Sequence, residues 1–245
     1  MKLDILAIGV HPDDVELSAS GVLMMEKLNG KKTGVIDLTR GELGTRGSAD
    51  IRSKEAARAA EIMQLDVREN LGMADGFFAD DELHQRRLIQ AIRKYQPEII
   101  LANALNDRHP DHGRAGRLIA TSAFLSGLRK IVTTGENGEI QMAWRPKYVL
   151  HMIQDRYHEP DFVYDITDVM DRKIEAIKAY SSQFFSESYQ SDEPQTYIST
   201  AGFLDSIIGR HQMLGKMIGV KFAEGFISEK MIGINNLDSL VQKDT

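Results

Sequence analysis

Two short stretches hold most of the residues that could do chemistry in this chain. The first is His11-Pro12-Asp13-Asp14-Val15-Glu16 and the second is Asn106-Asp107-Arg108-His109-Pro110-Asp111-His112. Pooled, they bring three histidines together with a set of carboxylates. Neutral imidazole and carboxylate are the ligands that suit zinc where no thiolate competes, and the chain contains no cysteine. Asp13 or Asp14 alone could simply cap the following helix. The second stretch shifts the balance, because adjacent acids beside a histidine are costly to hold unless a cation offsets them. His109 and His112, three residues apart, can aim both rings at one point from a turn or a first helical turn.

Counting separates ligands from groups left free. A catalytic zinc takes three protein ligands and keeps one position open. His11, Asp14 and His112 supply a set of two histidines and one carboxylate for one divalent ion. Asp13 then remains as an unliganded carboxylate suited to accept a proton from water. His109 remains as a second free group that, if protonated, stabilises an oxyanion or donates a proton to a leaving group. Together these residues make a kit for metal-assisted amide hydrolysis. The same ligand set suits Fe(II) oxygen chemistry, but the spare acid–base pair favours hydrolysis. Arg108 adjoins His109, and Arg52 follows the Gly-rich loop Thr39–Ser48. Guanidinium forks match carboxylate or phosphate, so both arginines are expected to meet an anionic group on the substrate. The Gly-rich loop lacks dinucleotide and Walker spacing.

The elements that must position these residues read as an alternation. Apolar runs at 3–10, 33–38, 66–71 and 98–102 predict buried strands. Between them, helical spacing predicts helices over 15–28, over 50–63 with Asp50 as cap, and from Asp80 or Asp81 to Tyr95. Another helix is expected over 113–127. The two chemical stretches therefore leave the carboxyl ends of two strands, the rim where ligands bind in open α/β sheets. Beyond residue 130 the rhythm changes. Asn137-Gly138 predicts a hairpin within 131–142. Strands follow at 147–153 and 162–166, then a helix capped by Thr167 and running to Tyr180. The stretch 181–200 reads as an irregular loop or lid, followed by a helix over 201–218 and a short segment at 222–226. This predicts a single α/β domain over residues 1–245. It is Rossmann-like, with a mostly parallel sheet, helices on both faces and an irregular C-terminal portion covering the site.

Composition sets the outer bounds. The 245 residues are 42% hydrophobic, enough for a full core, and the net charge of −6 argues against a general nucleic-acid binder. No run approaches the ~20 apolar residues of a membrane span, and Asp4 interrupts the short N-terminal apolar run. A cytoplasmic protein with no membrane partner is the expectation.

At these residues the chain resembles the PIG-L (LmbE-like) zinc-dependent N-acetylglucosaminyl deacetylases. The resemblance rests on His11-Pro12-Asp13-Asp14-Val15-Glu16, His109-Pro110-Asp111-His112, Thr39-Arg40-Gly41-Glu42, Gly44-Thr45-Arg46-Gly47 and Ala223-Glu224-Gly225-Phe226. Within that family the chain is most similar to the bacillithiol-pathway enzymes that deacetylate N-acetylglucosaminyl-malate. The resemblance implies zinc on His11, Asp14 and His112, a base at Asp13 and a charge-stabilising histidine at His109. It further implies malate carboxylates on Arg52 and Arg108, and a hexamer. A mobile tyrosine used by some relatives falls on Tyr189 or Tyr197, while a position aligned with one relative's tyrosine holds Phe203. The rivals are a deacetylase of chito-oligosaccharides or of another N-acetylglucosamine conjugate, and a non-enzymatic sugar- or nucleotide-binding module with a structural metal.

Overall fold

In the computed structural model, which describes residues 1–184 and 192–240, the four early apolar runs become β1 (Ile5–Gly9), β2 (Thr33–Thr39), β3 (Val67–Met73) and β4 (Ile99–Ala102). β1 and β2 are buried along their whole length, as continuous apolar runs in a two-sided parallel sheet should be. β5 (Tyr148–Met152) extends the parallel set beside β4. The sheet ends in β6 (Phe162–Asp165) and β7 (Ala223–Ser228), and its strand order is β3-β2-β1-β4-β5-β7-β6. The segment expected at 222–226 is thus a full strand. It is inserted between β5 and β6 and antiparallel to both.

This order positions the site. β1 pairs with β2 on one side and β4 on the other, so the chain changes its direction of winding between β1 and β4. At such a switch point the loops leaving the two strands diverge and open a crevice.

The helices are α1 (Asp14–Ser18), α2 (Ser20–Leu28), α3 (Ala49–Met63), α4 (Glu82–Tyr95), α5 (Pro110–Leu125), α6 (Met170–Lys178) and α7 (Ala201–Ile218). Four of the expected helices differ from the sequence reading. The helix expected over 15–28 is broken at Ala19, whose φ of −145° is extended rather than helical. α3 is capped by Ser48, which accepts from Ile51 N, and not by Asp50. α5 begins inside the second chemical stretch, with His109 as its cap and Pro110 as its first residue, a position that needs no N–H. Before α6, Thr167 opens a 3-10 turn, and its hydroxyl meets the backbone of Phe222 instead of capping the helix. In the expected hairpin, the described backbone pairs at one bridge, Thr134–Ile140.

Two apolar layers sandwich the sheet. One packs Leu6, Ile8, Ile36 and Ile100 against Leu88, Ile92, Leu118 and Ile119 of α4 and α5. The other packs Ala7, Val35 and Leu101 against Val22, Leu23 and Met24 of α2 and Ala176 of α6. Each fully buried aliphatic side chain of this kind contributes about 1.5–3 kcal/mol. The Ala223-Glu224-Gly225-Phe226 stretch ties α2 and α6 to the sheet. Glu224 is fully buried, accepts from Gly21 N and Val22 N, and pairs with the equally buried Lys173 at 2.8 Å.

Candidate active site

The loops after β1 and β4 meet as the switch point requires, and their side chains line a cavity of about 520 Å³. Asp14 sits at its floor. Its Oδ2 accepts from Val10 N at 2.9 Å, His11 N at 3.1 Å and Asn103 Nδ2 at 3.0 Å. Its Oδ1 faces His112 Nε2 at 3.1 Å. One oxygen is therefore fixed by donors, and the other is turned toward the histidines.

Both candidate histidine ligands are held from behind by carboxylates. His112 Nδ1 lies 2.6 Å from Asp107 Oδ2, and Asp107 Oδ1 in turn accepts from Arg156 N at 2.7 Å. His11 Nε2 lies 3.0 Å from Asp75 Oδ1, and Asp75 Oδ2 accepts from Leu43 N at 2.9 Å. A carboxylate on one ring nitrogen places the proton there and leaves the other nitrogen as a free donor pair. The free nitrogens are His112 Nε2 and His11 Nδ1, the latter 3.9 Å from Asp14 Oδ2. His11, His109 and His112 also offer atoms within 4.8 Å of one another, as do His11, Asp75 and Asp111. Asp14 belongs to neither group, but its Oδ1 lies 3.1 Å from His112 Nε2, so His11 Nδ1, Asp14 Oδ1 and His112 Nε2, with His109 beside them, are atoms that could hold an ion. Sulfur is absent, and two nitrogens with one oxygen fit zinc.

The electrostatics agree with a cation site. Burial opposes ionisation of Asp14, yet the charge and hydrogen bond of His112, and His11 beyond it, hold its carboxyl well below the usual range. Burial alone would lower His112, but Asp14 and Asp107 push it up to about 10. The protein thus draws one positive charge to the point between these carboxylates.

A family model described as GlcNAc-PI de-N-acetylase matches residues 6–124, which include both chemical stretches. The chain belongs to the PIG-L family. A diacetylchitobiose deacetylase of Thermococcus kodakarensis is 27% identical over 90% of this chain and 81% of that protein. A probable N-acetyl-alpha-D-glucosaminyl L-malate deacetylase 2 of Bacillus subtilis is 25% identical over 75% of this chain and 84% of that protein. The crystal structure of the conserved protein TT1542 from Thermus thermophilus has a TM-score of 0.83. It is 34% identical and covers 95% of this chain and 98% of that one. The α/β fold read from the alternation of elements is the fold of these PIG-L neighbours.

In this PIG-L chain Asp13 stands apart from the candidate ligands. Its φ of 127° is a left-handed conformation seldom adopted by a residue with a Cβ, the kind of strain that collects at functional sites. Burial pushes its carboxyl up, the Arg52 guanidinium pulls it back, and Asp14 raises it again, leaving it at about 6. A general base works best with a pKa near the operating pH. His109 accepts from Asp111 N through Nδ1 at 3.3 Å, which leaves Nε2 to carry the ring proton. Burial, with His11 and His112 adding to it, lowers its pKa. Its Nε2 is then the nitrogen placed to donate a hydrogen bond into the cavity.

The two arginines part company. Arg52 is buried, with Nη2 on Asp13 Oδ2 at 2.7 Å and Nη1 on Gly41 O at 3.2 Å. Gly41 is required here: a Cβ would stand 1.9 Å from Arg52 Nη1, and φ is +64°. That close approach is what the Thr39-Arg40-Gly41-Glu42 loop accomplishes. The guanidinium expected to meet substrate also lines the cavity, and it holds Asp13 at the same time. Arg108 is exposed at the rim, with Nε on Asp155 Oδ2 at 3.0 Å and its guanidinium 4.7 Å from the Tyr197 ring. Tyr197 and Phe203 both line the cavity, and the buried Phe203 also stacks on Phe184. Tyr189 lies outside the described residues.

Sequence reasoning missed Asp75 and Asn103, and gave Asp107 no role. Asp107 lies within the second stretch and was within reach. Asp75 stands alone in a turn after β3, and nothing in its neighbours marks it.

Proposed function

We propose that this chain, a single domain over residues 1–245, hydrolyses the N-acetyl group of an N-acetylglucosamine conjugate. The preferred substrate is N-acetylglucosaminyl-malate, giving glucosaminyl-malate and acetate, a step of bacillithiol biosynthesis in the cytoplasm. The reading rests on one observation above all. Two rings anchored by Asp75 and Asp107 turn free nitrogens toward Asp14, while Asp13 stands beside them unliganded and buried.

His11, Asp14 and His112 would hold one zinc ion, which supplies Lewis acidity toward the acetyl carbonyl and acidifies water. Asp13 takes the proton of the attacking water, and Arg52 keeps the protonated and charged forms of Asp13 within reach of neutral pH. His109 donates a hydrogen bond through Nε2 to the oxygen that gains charge. The proton on Asp13 then passes to the departing amine. Water and amide become amine and acid, and nothing else is consumed. Arg108, exposed in the cavity lining, is assigned to an aglycone carboxylate in this reading, and a hexamer is the assembly carried with it.

The relative acting on diacetylchitobiose supports a second substrate, an uncharged acetylated disaccharide. Purified protein incubated with each sugar and followed by mass spectrometry separates them. Loss of acetyl from N-acetylglucosaminyl-malate is the expected result. Loss from diacetylchitobiose alone refutes the malate assignment, and loss from neither refutes the deacetylase.

A further inference from the structure

One charged side chain of the cavity has no counterpart among the described residues. Arg210 lines the cavity from α7, and its Nε is buried without a hydrogen-bond partner. The carboxylates that act on it from nearby are Asp155, Asp107 and Glu224, and each is already engaged. Asp155 holds Arg108. Asp107 holds His112 and Arg156 N. Glu224 holds Lys173 and two backbone amides. Burial lowers the pKa of the guanidinium, and Asp155, Asp107 and Glu224 pull it back up. An arginine nevertheless stays charged in a protein.

A half-buried guanidinium whose buried Nε has no hydrogen-bond partner is costly unless a ligand completes it. Its surroundings say what that ligand offers. Phe203 and Ile207, on the same face of α7 at helical spacing, line the cavity beside it, and Tyr197 and Arg108 close the rim. On this wall two guanidinia stand against the single carboxylate of Asp155. His11, Asp13, Asp14 and His112, which meet the acetamido group in the reading above, line the same cavity as Arg210. In that reading the remaining lining, α7 included, is left to the aglycone.

We propose that Arg210 is a specificity-determining residue that binds an oxyanion, carboxylate or phosphate, on the aglycone of the substrate. The proposal rests on the deacetylase reading for the direction of the substrate, but the anion site itself can be measured without turnover.

The test uses metal-loaded wild-type protein with Arg210→Met, which keeps the length and apolar stem, and Arg210→Lys, which keeps the charge. Equal melting temperatures establish that the variants are folded. Calorimetric titration with L-malate, and separately with inorganic phosphate, reads the anion site. The values of kcat and KM on N-acetylglucosaminyl-malate and on diacetylchitobiose read its use. Hydrogen bonds to a charged group are worth enough that Arg210→Met should weaken malate binding, and raise KM for the malate sugar, by roughly 10- to 150-fold. The lysine variant should recover part of the loss, and diacetylchitobiose should be nearly unaffected. A loss confined to phosphate binding would support the oxyanion and assign it as phosphate. Anion binding unchanged in Arg210→Met, or equal losses on both sugars, overturns the proposal. Should wild-type protein deacetylate neither sugar, the deacetylase reading falls, and the titrations still decide the arginine.

Discussion

Asp107→Asn isolates the part of the site that holds His112 from the part that binds the ion. In the native chain Asp107 Oδ2 takes the Nδ1 proton of His112 at 2.6 Å, and Oδ1 takes the amide of Arg156 at 2.7 Å. An asparagine has one oxygen and one NH2 in place of two oxygens. The Arg156 amide can only donate, so the asparagine oxygen must stay on that side. The NH2 then faces His112 Nδ1 and donates to it. The ring proton is forced onto Nε2, the nitrogen that faces Asp14 Oδ1 at 3.1 Å, and an entering ion has to displace it. Loss of such a supporting carboxylate typically costs about 10–100-fold in metal affinity or activity, or about 1.4–2.7 kcal/mol. Competition with a chromophoric chelator at fixed pH measures the affinity directly, and circular dichroism melting establishes that the fold is retained. Zinc affinity equal to wild type in a folded Asp107→Asn protein would refute the reasoning, because His112 Nε2 would then not be the coordinating atom.

The remaining expectations use the same geometry. Asp13→Asn should retain metal by elemental analysis while kcat falls by about 10²–10⁴, the usual cost of a lost general base; wild-type turnover would place the base elsewhere. His112 in the ion-free protein holds its proton up to about 10. Entry of an ion releases that proton, so apparent metal affinity should rise by about tenfold per pH unit across the neutral range, and a flat profile in chelator competition would exclude His112 as a ligand. Lys173→Met removes one partner of a fully buried pair and should cost about 3–5 kcal/mol. In a chain of this size that lowers Tm by roughly 6–20 °C, and an unchanged calorimetric melt would contradict it.

What the sequence could and could not reveal follows from the range over which each signal acts. β1 was legible because its residues are buried on both faces, so apolarity runs unbroken from Ile5 to Gly9. The meeting of the two chemical stretches was legible because both follow such runs. The start of α5 was misjudged by three residues because Pro110 punctuates loops and first helical turns alike. Asp75 was invisible because it serves His11 from 64 residues away, and no local pattern records a partner at that distance. Arg52 illustrates the limit most clearly. Its type and its place after the Gly-rich loop were read correctly, but a guanidinium fits Asp13 as well as it fits a substrate carboxylate. The structure shows the Asp13 contact, 39 residues away in sequence, with Gly41 allowing the close approach.

The first chemical stretch divides into a front and a back, and the back explains how the front is held. Asp13 and Asp14 face the cavity. Glu16, fully buried, points away from it and binds Arg68 and the Tyr180 hydroxyl. Arg68 also grips Asp37 of β2 through two nitrogens, so the turn is fastened to the sheet and to the end of α6. Such a buried ionic network is weak evidence for stability, since desolvation offsets much of the attraction. Its use here is positional. Asp13 occupies a left-handed backbone conformation, and strain of this kind persists only when the surroundings over-determine it. The surroundings do so from both sides: three donors fix Asp14 Oδ2, Arg68 and Tyr180 fix Glu16, and Arg52 fixes Asp13 itself. A carboxylate that must stand next to an ion without joining its ligands needs that restraint, because a relaxed turn would leave Asp13 free to compete with Asp14 for the same cation.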